Sequence, residues 1–272
     1  MPDVALMFSG GVDSTMAAAL LAERFDRVHL LTYHNGHGTA WMGRSAKRVE
    51  ELRARYGAEK FTHTLDTTQA FMQEVVTGKL VENYREYGSG FIWCMGCKLA
   101  MHARSAIYCL DNGIRHMADG SSGSTQEMVE QMVVSLSLVR LFYASYGIQF
   151  FTPVYDIPRA EEQAELRRRG FRMGVQILGR NVGIQPQCYA GLTYYAPYLL
   201  FHKAPDHEEA NVARFIRDKS TTAHAIVERW FHERGRAVPE LERIPPLPWD
   251  DDHGPILAAG EDGARGVDER AP

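Results

Sequence analysis

The stretch that decides the fold is Val4-Ala5-Leu6-Met7-Phe8 followed by Ser9-Gly10-Gly11-Val12-Asp13-Ser14-Thr15. The first part is an apolar run with the length of a buried strand, and residues 16–22 after the second part are strong helix formers. Two glycines at the turn let the backbone approach an anion, because no Cβ stands in the way. We therefore predict a phosphate-binding loop, in which N–H groups and the dipole of the helix N-terminus favour the anion.

Two interpretations of this loop remain open from its residues. The hydroxyls of Ser9, Ser14 and Thr15 are placed to surround a bound anion together with the free N–H groups. The same residues also fit an Asp-capped helix after a glycine turn that binds nothing, with Asp13 near the cap.

Composition limits the class of protein. With 272 residues, 45% of them hydrophobic, the chain can bury the core of one large domain, alone or with a small extension. A net charge of −4 excludes the bulk positive field of a typical nucleic-acid binder. No apolar run approaches the length of a membrane span, the sequence opens with a strand rather than a signal peptide, and four cysteines favour metal or catalytic roles over disulfides. We expect a cytoplasmic protein without membrane contact.

The first half alternates apolar runs with helical patterns, which predicts an α/β fold with a parallel sheet covered by helices. The predicted strands after residues 4–8 are 28–33, 60–65 and 114–118. The predicted helices are 45–56, 98–110, 126–143, 159–169 and 207–234. Residues 153–158 are expected to be extended, and residues 170–197 to be loops.

The ends of three predicted strands locate a ligand site. In open α/β sheets, ligands lie beyond the carboxyl ends of the strands. The loop at Ser9, residues 34–38 after Tyr33, and residues 119–123 with Gly120 all lie at such ends. We expect the second segment to hold adenine or ribose and the third to lie near the reacting group.

The cysteines indicate a second candidate site, in addition to the phosphate-binding loop. Cys94 and Cys97 form a Cys-x-x-Cys at the start of a predicted helix, and Cys188 follows far along the chain. Cys109 lies in an apolar helical stretch and is expected to be a buried small residue. From the thiols alone, an iron–sulfur cluster, a zinc site with His102, a redox or persulfide pair, and unligated cysteines all remain open.

The order of these motifs resembles the PP-loop ATP pyrophosphatase superfamily, and within it the iron–sulfur-dependent tRNA 2-thiocytidine and 2-thiouridine synthetases. The Ser-Gly-Gly-x-Asp-Ser loop, the Cys-x-x-Cys, the strand and glycine loop, Pro153 and Pro158, and the distant cysteine carry the resemblance between Val4 and Tyr189. It implies cleavage of ATP between its α- and β-phosphates, with Mg²⁺ positioned by Asp13. It also implies a [4Fe–4S] cluster held by Cys94, Cys97 and Cys188. These three cysteines and Asp13 are the predicted catalytic residues. The residues expected to bind ATP are Phe8, Ser9, Gly10, Gly11, Asp13, Ser14, Thr15, Tyr33 and Gly120.

The chain departs from that family in two places. Val12 stands where members of this type usually have lysine. After the fourth strand the family typically has Gly-His-x-x-Asp-Asp, whereas residues 120–125 carry no carboxylate here. Asp119 and Glu127 are the candidates to replace the missing acid.

Other polar and aromatic residues have less specific patterns. Lys98 and Arg104 could meet phosphate or substrate, or be solvated charges. The basic residues around 44–55 and 167–169 are interrupted by glutamates, which favours charged helix faces over RNA contacts. The tyrosines near Cys188, including Tyr189, Tyr194 and Tyr195, could stack on a base, but packing is the favoured interpretation.

Together these features predict ATP-dependent thiolation in a PP-loop domain over residues 1–200, a helical extension over 201–244 and a disordered tail over 245–272. An oxygen of a nucleobase-like small molecule or a tRNA base would be adenylated and replaced by sulfur through the three-cysteine cluster. Free sulfide or a cysteine desulfurase would donate the sulfur, and a homodimer is left open. The alternative is a PP-loop ligase or amidotransferase with a nitrogen nucleophile and zinc-bound cysteines.

Overall fold

A five-stranded parallel sheet forms the centre of the computed structural model, which describes residues 2–172, 175–177, 180–182, 186–201, 207–242 and 244. The strands in chain order are β1 (Val4–Met7), β2 (Val28–His34), β3 (Thr39–Ala40), β4 (Phe61–Thr67), β5 (His116–Ala118), β6 (Gln149–Phe151), β7 (Val175–Ile177), β8 (Arg180–Val182) and β9 (Gln187–Cys188). The main sheet has the order β4-β2-β1-β5-β6, with every neighbouring pair parallel. Strand β1 is buried along its whole length, as expected for a strand covered on both faces.

Helices cover both faces of this sheet. They are α1 (Val12–Arg24), α2 (Gly43–Tyr56), α3 (Gln69–Val75), α4 (Leu80–Tyr87), α5 (Phe91–Asn112), α6 (Val133–Ala144), α7 (Arg159–Arg168), α8 (Tyr189–Tyr194), α9 (Ala196–Phe201) and α10 (Glu209–His232). Helices α1, α2 and α7 share one hydrophobic core with the sheet, and α3, α5, α6 and α10 share the core on the other face. The predicted α/β class, with helices on both faces, is confirmed.

The C-terminal part of the described chain is helical, as predicted. Helix α10 packs against α3, α5 and α6 through an apolar face that includes Phe215, Ile216 and Phe231. Because this face is part of the same core as α5, α10 supports the helix that carries Cys94, Cys97 and Cys109. The boundary drawn at residue 200 stays a prediction, and the segment 245–272 lies outside the described residues.

Two predicted elements are wrong. The long helix over 126–143 is instead a 3-10 turn at Val129–Gln131 followed by α6, because Met132 between them is extended. The Gln131 side chain in this turn accepts hydrogen bonds from the loop after β5, so it is committed to a tertiary contact. Residues 153–158 form turns rather than an extended segment, as shown by the backbone bond from Tyr155 N–H to Thr152 C=O.

Short elements and boundaries also differ from the sequence-based expectation. Helix α5 begins at Phe91, so Cys94 and Cys97 lie within its first two turns. Strand β6 was not predicted, since three residues are too few to show a period. The 170–197 region, expected to be loops, contains the antiparallel pair β7–β8, strand β9, helix α8 and the start of α9, and β9 pairs antiparallel with the distant β3.

None of the helices in the described part of the chain combines the length and the apolar character needed to cross a bilayer.

Gly96 tests the packing of α5. A Cβ at this position would lie 1.9 Å from Val76 Cγ2, at the end of α3. Gly96→Ala therefore forces α5 and the end of α3 apart. We expect a loss of about 1–3 kcal/mol in the free energy of unfolding, measured by urea denaturation. Gly43→Ala is the matched control, because a Cβ there meets nothing within 4 Å. Equal stability of the two variants would contradict the close contact at Gly96.

Candidate functional site

The loop between β1 and α1 has a preformed turn. Gly10 adopts a φ of +78°, a left-handed conformation that glycine adopts without strain. The Ser9 hydroxyl accepts a hydrogen bond from Gly11 N–H at 3.2 Å and lies 3.1 Å from Ser14 Oγ. The Thr15 hydroxyl is buried and has no hydrogen-bond partner among the described residues. The arrangement is that of an anion site, with hydroxyls and a helix N-terminus at one place.

Asp13, in the first turn of α1, pairs with a residue from the other end of the fold. Arg159 Nη1, at the start of α7, donates to both carboxylate oxygens of Asp13, at 2.6 and 2.8 Å. Sequence reasoning missed Arg159, which appeared only as the start of a charged helix. In this structure the predicted Mg²⁺ residue is therefore neutralised by a guanidinium.

A second carboxyl group lies beside this pair. The Glu162 side chain, one turn along α7 from Arg159, is fully buried and lies against the Asp13 carboxylate. Burial, reinforced by the neighbouring Asp13 carboxylate, raises the pKa of Glu162 to about 9. At neutral pH Asp13 is thus paired with Arg159 while Glu162 is protonated.

The loop after β5 lies directly against the first turn of α1. A Cβ on Gly120 would be 2.7 Å from Ser14 N and 2.8 Å from Ser14 Cα, so only glycine fits this approach. Asp119, just before it, is fully buried and binds Lys98 Nζ at 2.7 Å. Although burial opposes its charge, Lys98 and the hydrogen bonds from Ser121 hold the pKa of Asp119 below its usual range. The predicted loop positions at 9–15 and 120 are thus brought together.

Phe8 and Tyr33 have a different environment from the other predicted nucleotide residues. Phe8 is buried in the core, and its N–H and C=O already bind Leu31 and Thr32. The Tyr33 ring is also buried, and its hydroxyl accepts a hydrogen bond from Ser105 on α5. Both residues lie at the carboxyl ends of β1 and β2, and their contact with ATP stays a prediction.

Three of the four cysteines lie near the carboxyl end of β2 and act on one another electrostatically. Asn35, just after β2, donates from Nδ2 to Cys97 Sγ at 3.2 Å, and its Oδ1 accepts a hydrogen bond from Thr39 at 3.0 Å. Thr39 in β3 is the register partner of Cys188 in β9. We call Cys94, Cys97 and Cys188 the cysteine site. Cys109 is fully buried in the apolar core, as predicted.

Electrostatics at the cysteine site oppose free thiolates. Burial raises the pKa of Cys94 far above its ordinary value, and the Glu130 carboxylate and the other two thiols raise it further. Burial also raises the pKa of Cys97 to about 12, although the Asn35 amide lowers it and Lys98 adds a smaller lowering effect. Without a bound cation these two thiols are protonated at neutral pH.

The donor set of the cysteine site fits a soft metal or an iron–sulfur cluster. Thiolates select zinc, copper(I) and iron–sulfur clusters, and a bound metal removes the thiol proton. Within the described ranges no group of three or more His, Cys, Asp or Glu side chains is close enough to hold a metal ion. Metal loading would therefore require the three thiols to approach one another as they lose their protons.

Other predicted charges are paired within the fold. Arg104 binds Asp66 at 2.7 Å and lies 4.8 Å from the Trp230 ring centroid, so its charge is paired within the fold rather than solvated. On α2, Arg48 pairs with Glu51 and Arg53 pairs with Glu50. These pairs match the interpretation of α2 as an ordinary charged helix face.

Comparison with known proteins identifies the N-terminal part. The model of the family described as queuosine biosynthesis protein QueC matches residues 3–164. No sequence among curated proteins matches this chain.

Solved structures with a similar course of the chain include three proteins of low sequence identity. One is a predicted subunit of a tRNA methyltransferase from Methanocaldococcus jannaschii, with 15% identity, 89% of this chain and 92% of that chain covered, and a TM-score of 0.39. Another is a 4-thiouridine synthetase in complex with RNA and bound ATP, with 12% identity, 83% and 53% covered, and a TM-score of 0.49. The tRNA thiolase NcsA from Methanococcus maripaludis with its [4Fe–4S] cluster has 11% identity, 82% and 73% covered, and a TM-score of 0.36. The chain thus spans about half of the 4-thiouridine synthetase, and at these scores no activity is transferred.

The protonated Glu162 predicts a pH dependence of stability. Its pKa in the folded state, about 9, lies above the value of 4.5 for an exposed glutamate, so its contribution to stability is present below pH 4.5. That contribution is lost progressively as the pH rises from 4.5 to about 9, because the unfolded chain releases the proton while the folded protein keeps it. Glu162→Gln should remove this slope and raise the melting temperature at pH 8 relative to the original protein. Parallel pH profiles for the two proteins would contradict a protonated Glu162.

Gly120 tests the contact between the β5 loop and α1. Gly120→Ala places a methyl group 2.7 Å from Ser14 N and pushes the loop away from the anion site. We expect MgATP affinity, measured by calorimetry, to fall by about 5- to 150-fold, the equivalent of ~1–3 kcal/mol of overpacking. Gly191→Ala is the control, since its Cβ would meet Cys188 at an ordinary 3.8 Å. Unchanged affinity in Gly120→Ala would separate this loop from nucleotide binding.

Proposed function

The chain belongs to the family of the queuosine biosynthesis protein QueC. We propose that, within the ATP chemistry of this class, it replaces an oxygen of a nucleobase-like acceptor with sulfur. Family membership confirms the assignment to the PP-loop superfamily, and the chain is an ATP-dependent enzyme of that class. The sulfur chemistry is our own inference. The observation that supports it is that Cys94, Cys97 and Cys188 act on one another electrostatically.

A short series of contacts links the two places. Gly120 touches Ser14 in the loop, Asp119 precedes Gly120, and Asp119 binds Lys98. Lys98 follows Cys97 in the sequence, and its charge acts on that thiol. An acceptor bound at this carboxyl edge of the sheet would therefore contact both the α-phosphate of ATP and the cysteine site.

The proposed reaction has two steps. The acceptor oxygen attacks the α-phosphorus, so that a C–O–P linkage forms, the bond between the α- and β-phosphates breaks, and pyrophosphate leaves. Hydrosulfide then adds to the activated carbon, the C–O bond breaks, and AMP leaves with the oxygen and its electron pair. The product has C=S in place of C=O, and the hydrosulfide proton passes to solvent. Adenylation thus turns a poor leaving group into a good one.

The residues of the loop have distinct roles in this proposal. Ser9, Ser14 and Thr15, with the N–H groups of α1, would hold the departing pyrophosphate. Asp13 would exchange Arg159 for Mg²⁺, which leaves the guanidinium free to meet phosphate charge. The Asp13 carboxylate and the Arg159 guanidinium would then each keep a partner of opposite charge when the nucleotide binds.

The cysteine site would hold the cofactor. A [4Fe–4S] cluster on Cys94, Cys97 and Cys188 would supply an iron with an open position for sulfide. Free sulfide or a cysteine desulfurase would be the sulfur source, and the acceptor would be a small nucleobase-like molecule or a tRNA base.

The family match favours a second candidate. In it a nitrogen nucleophile attacks the same activated carbon, and the three cysteines hold zinc in a structural role. The ATP chemistry and the loop residues are common to both candidates, so only the metal and the product distinguish them.

Metal and sulfide analysis after anaerobic purification tests the proposal. We expect about four irons and four sulfides per chain, as a [4Fe–4S] cluster requires, with loss of most of this content in Cys188→Ala. Cys109→Ala is the matched control, because it removes a thiol outside the cysteine site. Mass spectrometry of the acceptor should show replacement of oxygen by sulfur only in the protein with an intact cysteine site.

Zinc alone, together with a product that gains nitrogen, would overturn sulfur transfer and support the second candidate. Equal iron in Cys188→Ala and Cys109→Ala would remove Cys188 from the ligand set.

A further inference from the structure

Two large aromatic side chains remain on the surface beside the cysteine site. Trp41 and Tyr189 are about half exposed, at 52% and 50%, although both are bulky and largely apolar. Their rings contact each other edge to face, with centroids 6.5 Å apart and an interplanar angle of 72°. Packing, the favoured interpretation of Tyr189 from sequence, accounts for only part of its surface. The pair leaves ring surface free for another planar group.

The backbone holds Trp41 in an unfavourable conformation. Its φ is +58°, and among the described residues it is the one non-glycine residue with positive φ. A left-handed conformation is costly for a bulky side chain and is concentrated at functional sites. Here it turns the chain from β3 into α2, whose first turn begins two residues later. A glycine would make the same turn without this strain, so the turn by itself does not require an indole at this position.

Arg44 adds a positive charge to the pair of Trp41 and Tyr189. Arg44 Cζ lies 4.1 Å from the Trp41 ring centroid, a cation–π contact. Its Nη1 is buried and lacks a hydrogen-bond partner in the part of the chain that the structure describes. A buried guanidinium N–H without an acceptor is costly unless a ligand supplies one. We call Trp41, Arg44 and Tyr189 the aromatic platform.

The aromatic platform is joined to the cysteine site by backbone contacts. Tyr189 follows Cys188 directly, and its N–H binds Gly38 C=O at 3.0 Å. Strand β3, which leads into Trp41, pairs with β9 so that Thr39 is opposite Cys188 and Ala40 is opposite Gln187. A ring that stacks on the platform would therefore lie next to one of the three thiols.

We propose that the aromatic platform is the acceptor subsite and stacks a nucleobase-like heteroaromatic ring. Arg44 donates to a carbonyl oxygen of that ring or to a phosphate attached to it. This inference rests on the proposed function for the identity of the acceptor as a base. The stacking chemistry is the same for a free nucleotide and for an unpaired base of tRNA, and the choice of probe distinguishes these sources.

Binding measurements with the full chain test the proposal. The probes are GMP, UMP and an unmodified tRNA transcript, and MgATP is measured in parallel. Trp41→Gly should weaken binding of the base-bearing acceptor probe by about 5- to 150-fold, the usual effect of losing one aromatic–base stack. Trp41→Phe should retain most of the affinity because it keeps a ring. Tyr84→Ala, on α4, is the control, since Tyr84 is an equally exposed aromatic residue.

The stability of Trp41→Gly separates a binding role from a structural one. Because glycine relieves the positive φ, we expect its melting temperature to stay the same or rise while acceptor affinity falls. A lower melting temperature with unchanged affinity would overturn the proposal. So would an equal loss of MgATP affinity, which would make the platform the adenine site, or failure of all three acceptor probes to bind the original protein.

The outcome is independent of sulfur chemistry. Acceptor affinity is measured without turnover, and it can be repeated in Cys188→Ala. If the product of the original enzyme contains no sulfur but Trp41→Gly still loses acceptor affinity, the proposed function fails and the subsite stands. If sulfur is transferred but Trp41→Gly binds normally, the subsite fails and the proposed function stands.

Discussion

The contact between the loop after β5 and the first turn of α1 is the constraint on which the rest of the site depends. Gly120 approaches Ser14 so closely that a methyl group would not fit, and Asp119 beside it is buried as a charged group. Lys98 balances that charge from α5, and breaking such a buried pair typically costs about 3–5 kcal/mol. The same ion pair therefore ties the loop after β5 to α5, the helix that carries Cys94 and Cys97.

Charge at the phosphate-binding loop is balanced by two different means. Asp13 is paired with Arg159, whereas Glu162 is buried next to it and kept neutral by a raised pKa. Two carboxylates this close in a buried place cannot both ionise without a further cation. A nucleotide that arrives with Mg²⁺ changes this balance, because it brings both a cation for the acids and phosphate charge for the arginine. The arrangement of Asp13, Arg159 and Glu162 is thus suited to an exchange of partners.

The local sequence pattern was sufficient to predict the elements that have a strong hydrophobic periodicity or a glycine turn. Strand β1, helix α1 and the loop between them follow from an apolar run, two glycines and a series of helix formers. It failed where tertiary contacts compete with propensity, as at residues 126–131, where Gln131 is bound to the loop after β5. Strand β6 consists of three residues that pair because β5 is already in place, so no local signal was available. Arg159 was missed because its partner, Asp13, is distant in the sequence.

By itself the sequence determined the phosphate-binding loop, the α/β class and the three cysteines worth considering, because these depend on residue type and short spacing. Only the tertiary structure decided that Cys188 lies beside Cys94 and Cys97, since the pairing of β3 with β9 spans most of the chain. It also decided that Glu162 is protonated and that Trp41 is exposed in a left-handed turn. Burial, charge balance and backbone conformation at these residues are set by neighbours distant in sequence, which local pattern does not encode.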